Sequence, residues 1–363
     1  MTEDESITLD NVKWKPIILK ELAEVELGIY IFDYDRIPGN TPYASACSVN
    51  NGVGFFVGNN NETLESGCIQ VNRNGSVGFA AYHPYPALYS YDCRKIRPFY
   101  HSKYYALFLT NQIMMQKGKY GYGYKMGTYR LRKQAIIMPV DEEEKPNYLF
   151  MEQYTKKIEK NLLDKYLEFA HYRLKDCKSH LKRSELRTVN DRAWKEFQAF
   201  SDGNILEIHT TNSSIDAIKL KDGSDEIVPY ITRTGDNNGI TKFVSTSNCE
   251  IGKDVGGTIT VGLDTQTAFY QPHYFVTGQN IHIVSSKHLN QYTAQFFVVV
   301  LRDQMRAKFN WGGNGATLGR MKRLKIMLPV NDVNEPDYEF MEQYVISKEI
   351  EMLERYIQYI EER

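Results

Sequence analysis

The chain has 363 residues, of which 42% are hydrophobic and 13% aromatic, and its 44 basic and 45 acidic side chains give a net charge of −1. This composition argues against global disorder, and the length allows two domains of ordinary size. Five scattered cysteines without C-x-x-C spacing argue against a disulfide framework and a zinc site, and no apolar run approaches a membrane span. The acidic N-terminus lacks the order of a signal peptide, so we expect a cytoplasmic protein.

The predicted elements, taken in chain order, occur twice. Each half opens with Trp-Lys, at Trp14 and Trp194, and continues with short β-branched or aromatic segments that predict strands: CIQVN and VGFAAY, then TITVG and IHIV. Three-to-four apolar spacing predicts one helix per half, in HSKYYALFLTNQIMMQK and in NQYTAQFFVVVLRDQMRAK. A glycine-rich turn follows, KYGYGYKMG or WGGNGATLG, and then a basic-then-apolar strand that ends in Pro-Val. Each half therefore predicts a small α+β globule.

A long helix is predicted after each Pro-Val. Its first copy runs from Asn147 to about Lys182, which is a rod of roughly 50 Å. Pro146 and Pro336 suit the first turns of the two helices, where a missing N–H costs nothing. The expected packing stripes are Met151, Tyr154, Ile158, Leu162, Tyr166 and Phe169 in the first helix, and Met341, Tyr344, Met352, Tyr356 and Ile360 in the second. We expect the two helices to pack against each other, antiparallel.

The two halves are copies of one unit. PNYLFMEQY and PDYEFMEQY, at Pro146 and Pro336, share seven of nine residues, and RLRKQAIIMPV aligns with RMKRLKIMLPV at the same offset of 190. NNGVGFFV and NNGITKFV extend the match upstream. The predicted fold class is α+β, with two tandem quasi-symmetric globular domains joined by two long helices as an antiparallel coiled-coil spacer. The predicted limits are 1–145 and 191–335 for the two domains, 146–190 for the first helix and linker, and 336–363 for the second helix.

Three acid-poor basic stretches predict an anion-binding surface, although solvated helical faces would also explain each stretch alone. They are Arg94–Lys103, Lys117–Lys133 and Arg302–Lys325. Two globules held at a fixed separation suit a repeating polyanion, and duplex DNA offers successive major-groove faces about 34 Å apart. Double-stranded DNA is therefore the expected partner. No phosphate-binding loop, nuclease motif or methyltransferase motif is present in the sequence, so we expect no catalytic residue, no metal and no cofactor.

Matched positions beside the glycine-rich turns are the expected phosphate contacts. They are Arg130, Arg132, Lys133, Arg320, Lys322 and Arg323, together with Lys119 and Lys125. The alternative for these residues is a solvated edge strand. For base readout we expect polar residues on Gly/Asn-rich loops, namely Asn72, Arg73, Asn74, Arg233 and Asn237, although asparagine can serve turn geometry alone. Tyr120, Tyr122 and Tyr124 either line the groove or pack.

Trp-Lys openings, a variable α+β region, a strand ending in Pro-Val and a long helix, all written twice, resemble the specificity (S) subunits of restriction–modification systems. The LPV…PDYEFMEQY junction is especially similar to S subunits of type IIB, BcgI-like systems, and type I S subunits share the plan. The resemblance covers about Trp14 to Arg363. It implies that each globule is a target recognition domain for one half of a bipartite DNA site. It also implies that the helices set the gap and dock a methyltransferase or a fused nuclease–methyltransferase.

Two other interpretations remain open at this point. The chain could be a non-catalytic helical scaffold whose basic stretches are incidental, or an orphan DNA-binding pseudo-dimer without a partner. Salt dependence distinguishes a scaffold from a DNA-binding protein, because phosphate contacts weaken steeply as salt rises.

Overall fold

The computed structural model describes residues 7–182, 188–200, 205–309 and 314–362. The chain forms two compact units, Met1–Tyr166 and Leu167–Arg363, each with its own sheets and core. The boundary between the units falls within the first long helix, whereas the predicted domain limits treated that helix as a separate spacer. None of the helices in the described ranges combines enough length with enough apolar character to cross a bilayer.

The described residues of the first unit form nine strands, two shorter α-helices and the beginning of a long helix. These are β1 (Lys13–Ile18), β2 (Ala23–Leu27), β3 (Pro38–Ala44), β4 (Val53–Val57), β5 (Cys68–Asn72), β6 (Ala80–His83), β7 (Leu88–Tyr89), β8 (Cys93–Pro98), α1 (Lys103–Met114), α2 (Thr128–Arg132), β9 (Ala135–Val140) and α3 (Tyr148–His180). The strands form a four-stranded sheet in the order β2-β8-β5-β6, a three-stranded sheet β4-β3-β7 and a β1-β9 ribbon.

The second unit repeats this list after the end of α3. Its elements are β10 (Trp194–Gln198), β11 (Glu207–Thr210), β12 (Glu226–Ile231), β13 (Ile240–Ser245), β14 (Thr258–Gly262), β15 (Ala268–Gln271), β16 (Val276–Thr277), β17 (Ile281–Ser285), α4 (Gln291–Lys308), α5 (Leu318–Met321), β18 (Lys325–Pro329) and α6 (Tyr338–Glu361). The sheets β11-β17-β14-β15, β13-β12-β16 and β10-β18 match those of the first unit strand for strand. The predicted repeat is therefore confirmed at the level of topology.

The strand β5 shows how alternation builds the first unit. Ile69 and Val71 face the main hydrophobic core, while Gln70 and Asn72 face the opposite side and form hydrogen bonds to each other and to the backbone.

The Asn-Asn-Gly turn is repeated in the two units, and its glycines, Gly52 and Gly239, have φ of +77° and +79°. Only glycine adopts that region at low cost, which explains why the motif occurs in both halves.

The repeated tryptophan has the same two contacts in each unit. Trp14 stacks on Phe108 at 6.4 Å, and Trp194 stacks on Phe296 at 6.3 Å. The indole nitrogen donates to the backbone oxygen five residues earlier in both cases, at 3.1 and 3.0 Å. Each tryptophan thereby fixes the entry of the chain into its own unit.

The repeated Phe-Met-Glu-Gln-Tyr motif anchors each long helix in the core of its own unit. Met151 and Met341 are fully buried at equivalent positions. Tyr154 meets Phe108 edge-on at 6.3 Å, and Tyr344 meets Phe296 edge-on at 6.2 Å. The motif is therefore a docking element between helix and globule.

The long helices begin one residue after a side-chain cap. Asn147 accepts a hydrogen bond from Phe150 N at 3.0 Å, and Asp337 accepts one from Phe340 N at 2.9 Å. Pro146 and Pro336 precede these caps, so the expectation that they occupy the first helical turn is wrong. Each proline instead closes a β-bridge with the valine at the end of the preceding strand.

Within the second unit, the later part of α3 packs antiparallel on α6 through a heptad seam. The α3 side is Leu167, Ala170, Leu174, Cys177 and Leu181, and the α6 side is Gln343, Ile346, Ile350, Leu353 and Ile357. Arg173 clamps Glu349 across the seam, with Nε–Oε1 at 2.6 Å and Nη2–Oε2 at 3.0 Å. The predicted coiled-coil pairing is confirmed for this part of the helices.

The seam is not the predicted stripe. Ile158, Leu162, Tyr166, Phe169 and Met352 are exposed, although they were expected to pack. Ala170 and Cys177 are fully buried in the contact with α6, and the larger residues lie on other faces of the helix. Large side chains at helical spacing were therefore a poor guide to the contact face.

Candidate nucleic-acid interface

The first predicted basic stretch, Arg94–Lys103, is neutralised by acids that are distant in sequence. Nitrogen–oxygen distances of 2.5 to 2.9 Å join Lys95 to Glu26 and Glu65, Arg97 to Glu24, Glu26 and Glu65, and Lys103 to Glu159. The hydrogen bond from Arg97, together with Lys95, lowers the pKa of Glu65 to about 2. These cations are already compensated, so the expectation that they bind an external anion is wrong.

Arg94, the remaining residue of that stretch, is 3% exposed and lies beside Tyr91 and Arg73. Its Nη1 donates to Tyr91 O at 2.8 Å and to Cys93 O at 2.7 Å, and no carboxylate in the described residues pairs with it. Burial, followed by the charge of Arg73, lowers the pKa of Arg94. Both guanidinium groups lie over the Tyr91 ring, at 5.8 and 5.4 Å. Arg94 holds the backbone of Tyr91, and the more accessible Arg73 lies over the same ring. The run of basic residues in the sequence did not predict this arrangement.

The segment Lys117–Lys133 keeps its charge, and we call it the first basic surface. Its six cations are Lys117, Lys119, Lys125, Arg130, Arg132 and Lys133. Within the described ranges none of them forms an ion pair, and all except the half-buried Lys125 are exposed. The segment thus concentrates uncompensated positive charge on a chain of net charge −1.

The arginines of this surface stand on a short helix, α2, and not on the predicted strand. Arg130 donates from Nη1 to Lys125 O at 2.8 Å and closes the base of the preceding loop. Arg132 donates from Nη2 to Val25 O at 2.9 Å, which ties α2 to the four-stranded sheet. The basic half of the predicted strand is helical because only the apolar half, β9, has a pairing partner in β1.

The second basic surface, Arg302–Arg323, occupies the equivalent place in the second unit. Arg320 donates from Nη1 to Gly315 O at 3.0 Å, and this contact repeats the one made by Arg130 five residues back along the chain. Lys322 and Arg323 are exposed and form no ion pair within the described ranges. Arg302 lies 4.4 Å from the Phe269 ring, and burial lowers its pKa. Residues 310–313 of the predicted glycine-rich turn lie outside the described residues.

The predicted base-reading residues of the first unit have different environments. Asn72 is fully buried and donates from Nδ2 to Cys47 O at 2.8 Å, so it belongs to the interior and cannot reach a base. Asn74 Nδ2 donates to Asp92, which also accepts from Tyr30 Oη at 2.8 Å. Arg73 is half-buried and free of ion pairs within the described part of the chain. Arg73 is thus the predicted reader whose donors are most available.

In the second unit, Arg233 forms an ion pair with Asp264. Its guanidinium is therefore engaged, and the expectation that it is free to contact a base does not match this geometry. Asn237 is exposed at the Asn-Asn-Gly turn with φ of +47°, where it serves the turn and still presents its amide to solvent. The structure brings Arg73 and Asn74 together, but it gives Arg233 and Asn237 no shared contact.

Comparison with known proteins identifies the class to which this fold and these surfaces belong. The family model described as the type I restriction modification DNA specificity domain matches residues 11–166 and 194–362, one match per repeat. The chain therefore belongs to this family of DNA specificity domains.

Particular relatives were also found. The chain is 33% identical over 163 residues to the type II restriction enzyme BgcI specificity subunit S.BcgI of Heyndrickxia coagulans. The match covers 44% of this chain and 48% of that protein, so it spans about half the length of the relative. The solved structures that the chain matches include the type I restriction-modification system S subunit from M. genitalium, at 14% identity, with 100% and 95% of the two chains covered and a TM-score of 0.44. Another is the HsdS subunit from Thermoanaerobacter tengcongensis, at 11% identity, with 96% and 91% covered and a TM-score of 0.32.

Proposed function

We propose that this chain is the DNA specificity subunit of a restriction–modification complex. Each globular unit binds one half of a bipartite duplex target. The long helices set the gap between the half-sites and dock a methyltransferase, or a fused nuclease–methyltransferase. The chain supplies recognition, and its partners supply the chemistry.

The observation that carries this proposal is the pair of equivalent basic surfaces. Both lie at the C-terminal end of the same helix of the repeat, both contain the same arginine-to-backbone contact, and both keep cations without ion pairs in the described residues. Other basic side chains, such as Lys95 and Arg97, are compensated. Phosphate contacts from such surfaces set the register of a protein on a duplex.

Base readout in the first unit falls to Arg73, with Asn74 beside it. A guanidinium can donate two hydrogen bonds to guanine, and an amide can pair in the same way with adenine. Asn74 would have to exchange its bond to Asp92 for the base, whereas Arg73 has no ion pair to break in the described structure. In the second unit Asn237 is the more available candidate, because Arg233 is paired with Asp264.

The partner surface is proposed for the outer faces of the helix pair in the second unit. Tyr172 on α3 and Met352 on α6 are 73% and 71% exposed, away from the heptad seam. Substituting both by Ser should abolish co-purification with a methyltransferase encoded beside this chain, while duplex binding stays unchanged. Loss of both properties together would contradict a separate docking surface.

Methylome sequencing of cells that carry this chain with its neighbouring genes tests the function directly. We expect methylation of a split, asymmetric motif, and exchange of residues 14–140 for the unit of another S subunit should change one half of that motif. A change in both halves would contradict the two-reader proposal. Steep salt dependence of duplex binding with no methylation would identify an orphan DNA-binding protein, whereas salt-independent self-association would identify a scaffold.

A further inference from the structure

A tyrosine stands at the tip of the first basic surface with almost its whole side chain in solvent. Tyr122 is 92% exposed and occupies a two-residue turn between Gly121 and Tyr124. The backbone N–H groups of these two flanking residues each donate to the other's carbonyl oxygen, at 3.1 Å. The Lys125 ammonium lies 5.4 Å from the Tyr122 ring. Intramolecular packing therefore does not account for an aromatic residue at this position.

Ring stacking and hydrogen bonds hold the turn to the first unit. Tyr124 stacks on Tyr120 with ring centroids 5.7 Å apart and planes 15° apart, and the Arg130 guanidinium covers Tyr124 at 3.9 Å. Tyr120 packs against the hydrophobic core and donates from its hydroxyl to Gln134 Oε1 at 2.5 Å. Arg130 also holds the Lys125 carbonyl. A side chain on a turn held in this way can insert into a ligand while the turn keeps its conformation.

The surroundings of the tip indicate what that ligand is. Lys119 and Lys125 flank the turn in sequence and Arg130 covers its Tyr124, and within the described part of the chain no carboxylate neutralises these cations. An exposed aromatic ring among cations fits a ligand that presents stacked planar groups beside regularly spaced anions, and nucleic acid has this combination. An acidic protein surface would satisfy the cations but would give the ring no stacking partner.

The equivalent turn of the second unit has a different sequence. At the offset of 190 that aligns Arg130 with Arg320, Tyr122 corresponds to Gly312, Tyr124 to Asn314 and Lys125 to Gly315. At the same offset the aromatic residue of the second turn, Trp311, corresponds to Gly121, so the Tyr122 position is aromatic in the first copy of the repeat and glycine in the second. Whatever Tyr122 does, it does at one half of a bipartite ligand.

We propose that Tyr122 is a wedge that enters between two adjacent base pairs of the half-site bound by the first unit. This inference rests on the proposed DNA-binding function and adds a reading mode to it. The ring partly unstacks one base step while the flanking cations hold the phosphates. Because pyrimidine–purine steps unstack and kink most easily, the wedge selects such a step without a hydrogen bond to any base edge.

The test uses the full chain and the duplex that it selects from a random-sequence library. Each adenine of that duplex is replaced in turn by 2-aminopurine, whose fluorescence rises when it is unstacked, and the easily kinked TA and CA/TG steps each contain an adenine on at least one strand. The variants are Tyr122→Ala, Tyr122→Phe, and Tyr34→Ala as the control. Tyr34 belongs to the same unit and is 82% exposed, but Asp33 and Asp35 flank it instead of lysines.

We expect the wild type, Tyr122→Phe and Tyr34→Ala to raise the fluorescence at one step within one half-site. Tyr122→Ala should lose this signal and bind about tenfold more weakly, which is the scale of one base–aromatic stack. No enhanced step with the wild type, or a signal that persists in Tyr122→Ala, would overturn the wedge. Failure of the library to yield any enriched duplex would instead overturn the proposed function.

A second measurement does not depend on the folding of any variant. A nick placed in the duplex at the enhanced step keeps every base edge but lowers the cost of unstacking and bending. The wild type should bind the nicked duplex several-fold more tightly than the intact one. Equal or weaker binding would overturn the wedge and leave the phosphate-binding role of the basic surface standing.

Discussion

Removing two lysines from the first basic surface should make DNA binding less dependent on salt concentration. Lys119 and Lys133 are exposed, and neither forms an ion pair within the described ranges. Their replacement by Gln keeps the length and polarity of the side chain and deletes only the charge. If both lysines contact phosphates, two counterions fewer are released when the duplex binds.

The size of the effect follows from the number of contacts. Each phosphate contact contributes about 0.9 to the slope of log affinity against log salt, so the double variant should have a slope less steep by about 1.8. Six contacts on this surface correspond to an affinity loss of about a thousandfold between roughly 50 and 200 mM salt, and four contacts correspond to about a hundredfold. The difference is large enough to measure by fluorescence anisotropy with a labelled duplex.

The matched control changes net charge by the same amount elsewhere in the unit. Lys13 and Lys145 are exposed and ion-paired, at 2.7 Å to Glu144 and 2.6 Å to Glu143. Substituting both by Gln should leave the salt slope unchanged. Equal slopes for the surface variant and the wild type would refute the assignment of Lys119 and Lys133 to phosphate. Equal changes in both double variants would mean that net charge, and not the surface, governs binding.

Two further predictions concern stability. Arg173→Ala should lower the free energy of unfolding of the second unit by about 1–3 kcal/mol in a denaturant titration, because it leaves Glu349 without its bidentate partner. A double-mutant cycle with Glu349→Ala should give a coupling energy near 1 kcal/mol. In the first unit, the pKa of Glu65 is about 2 in the fold against an ordinary value of 4.5, so its contribution is complete above pH 4.5 and is lost as the pH falls toward 2. Glu65→Gln should therefore flatten the decline in stability over that acid range, and an unchanged acid profile would refute the role given to Arg97 and Lys95.

The repeat, the strands and the helices were predictable because they depend on local patterns. α4 was predicted within one residue, since its apolar spacing and its Asn290 cap are adjacent in sequence. The contact face of the long helices was not predictable. It depends on Ala170 and Cys177, small residues whose value appears only when a second helix approaches, whereas Leu162 and Phe169 attract attention by size alone.

The site was predictable only in part, because it too depends on contacts between residues that are distant in sequence. A run of basic residues shows charge, but it does not show compensation. Glu24, Glu26 and Glu65 lie at least thirty positions before the cations they neutralise, and only the pairing of β2 with β8 and the loop before β5 brings them together. The first basic surface kept its charge because its segment leaves the sheet as a loop and a short helix. Asn72 was misassigned because its loop-like sequence context ends a fully buried strand.

A heptad deletion in α3 tests the spacing role of the helices most directly. α3 is continuous from Met151, buried in the core of the first unit, to Ala170 in the seam of the second. Deleting residues 160–166 removes two turns, keeps the helical face within about 20°, and shortens the rod by about 10.5 Å. That length corresponds to about 3 base pairs of duplex at 3.4 Å each.

We expect the methylated motif of the shortened chain to keep both half-sites and to lose about three base pairs from its gap. Deleting four residues from the same segment should instead abolish methylation, because it rotates the part of the helix that is anchored in the first unit by about 40° relative to the seam in the second. A motif with an unchanged gap after the seven-residue deletion would mean that α3 does not determine the separation of the half-sites. The gap would then have to be set by the partner subunits.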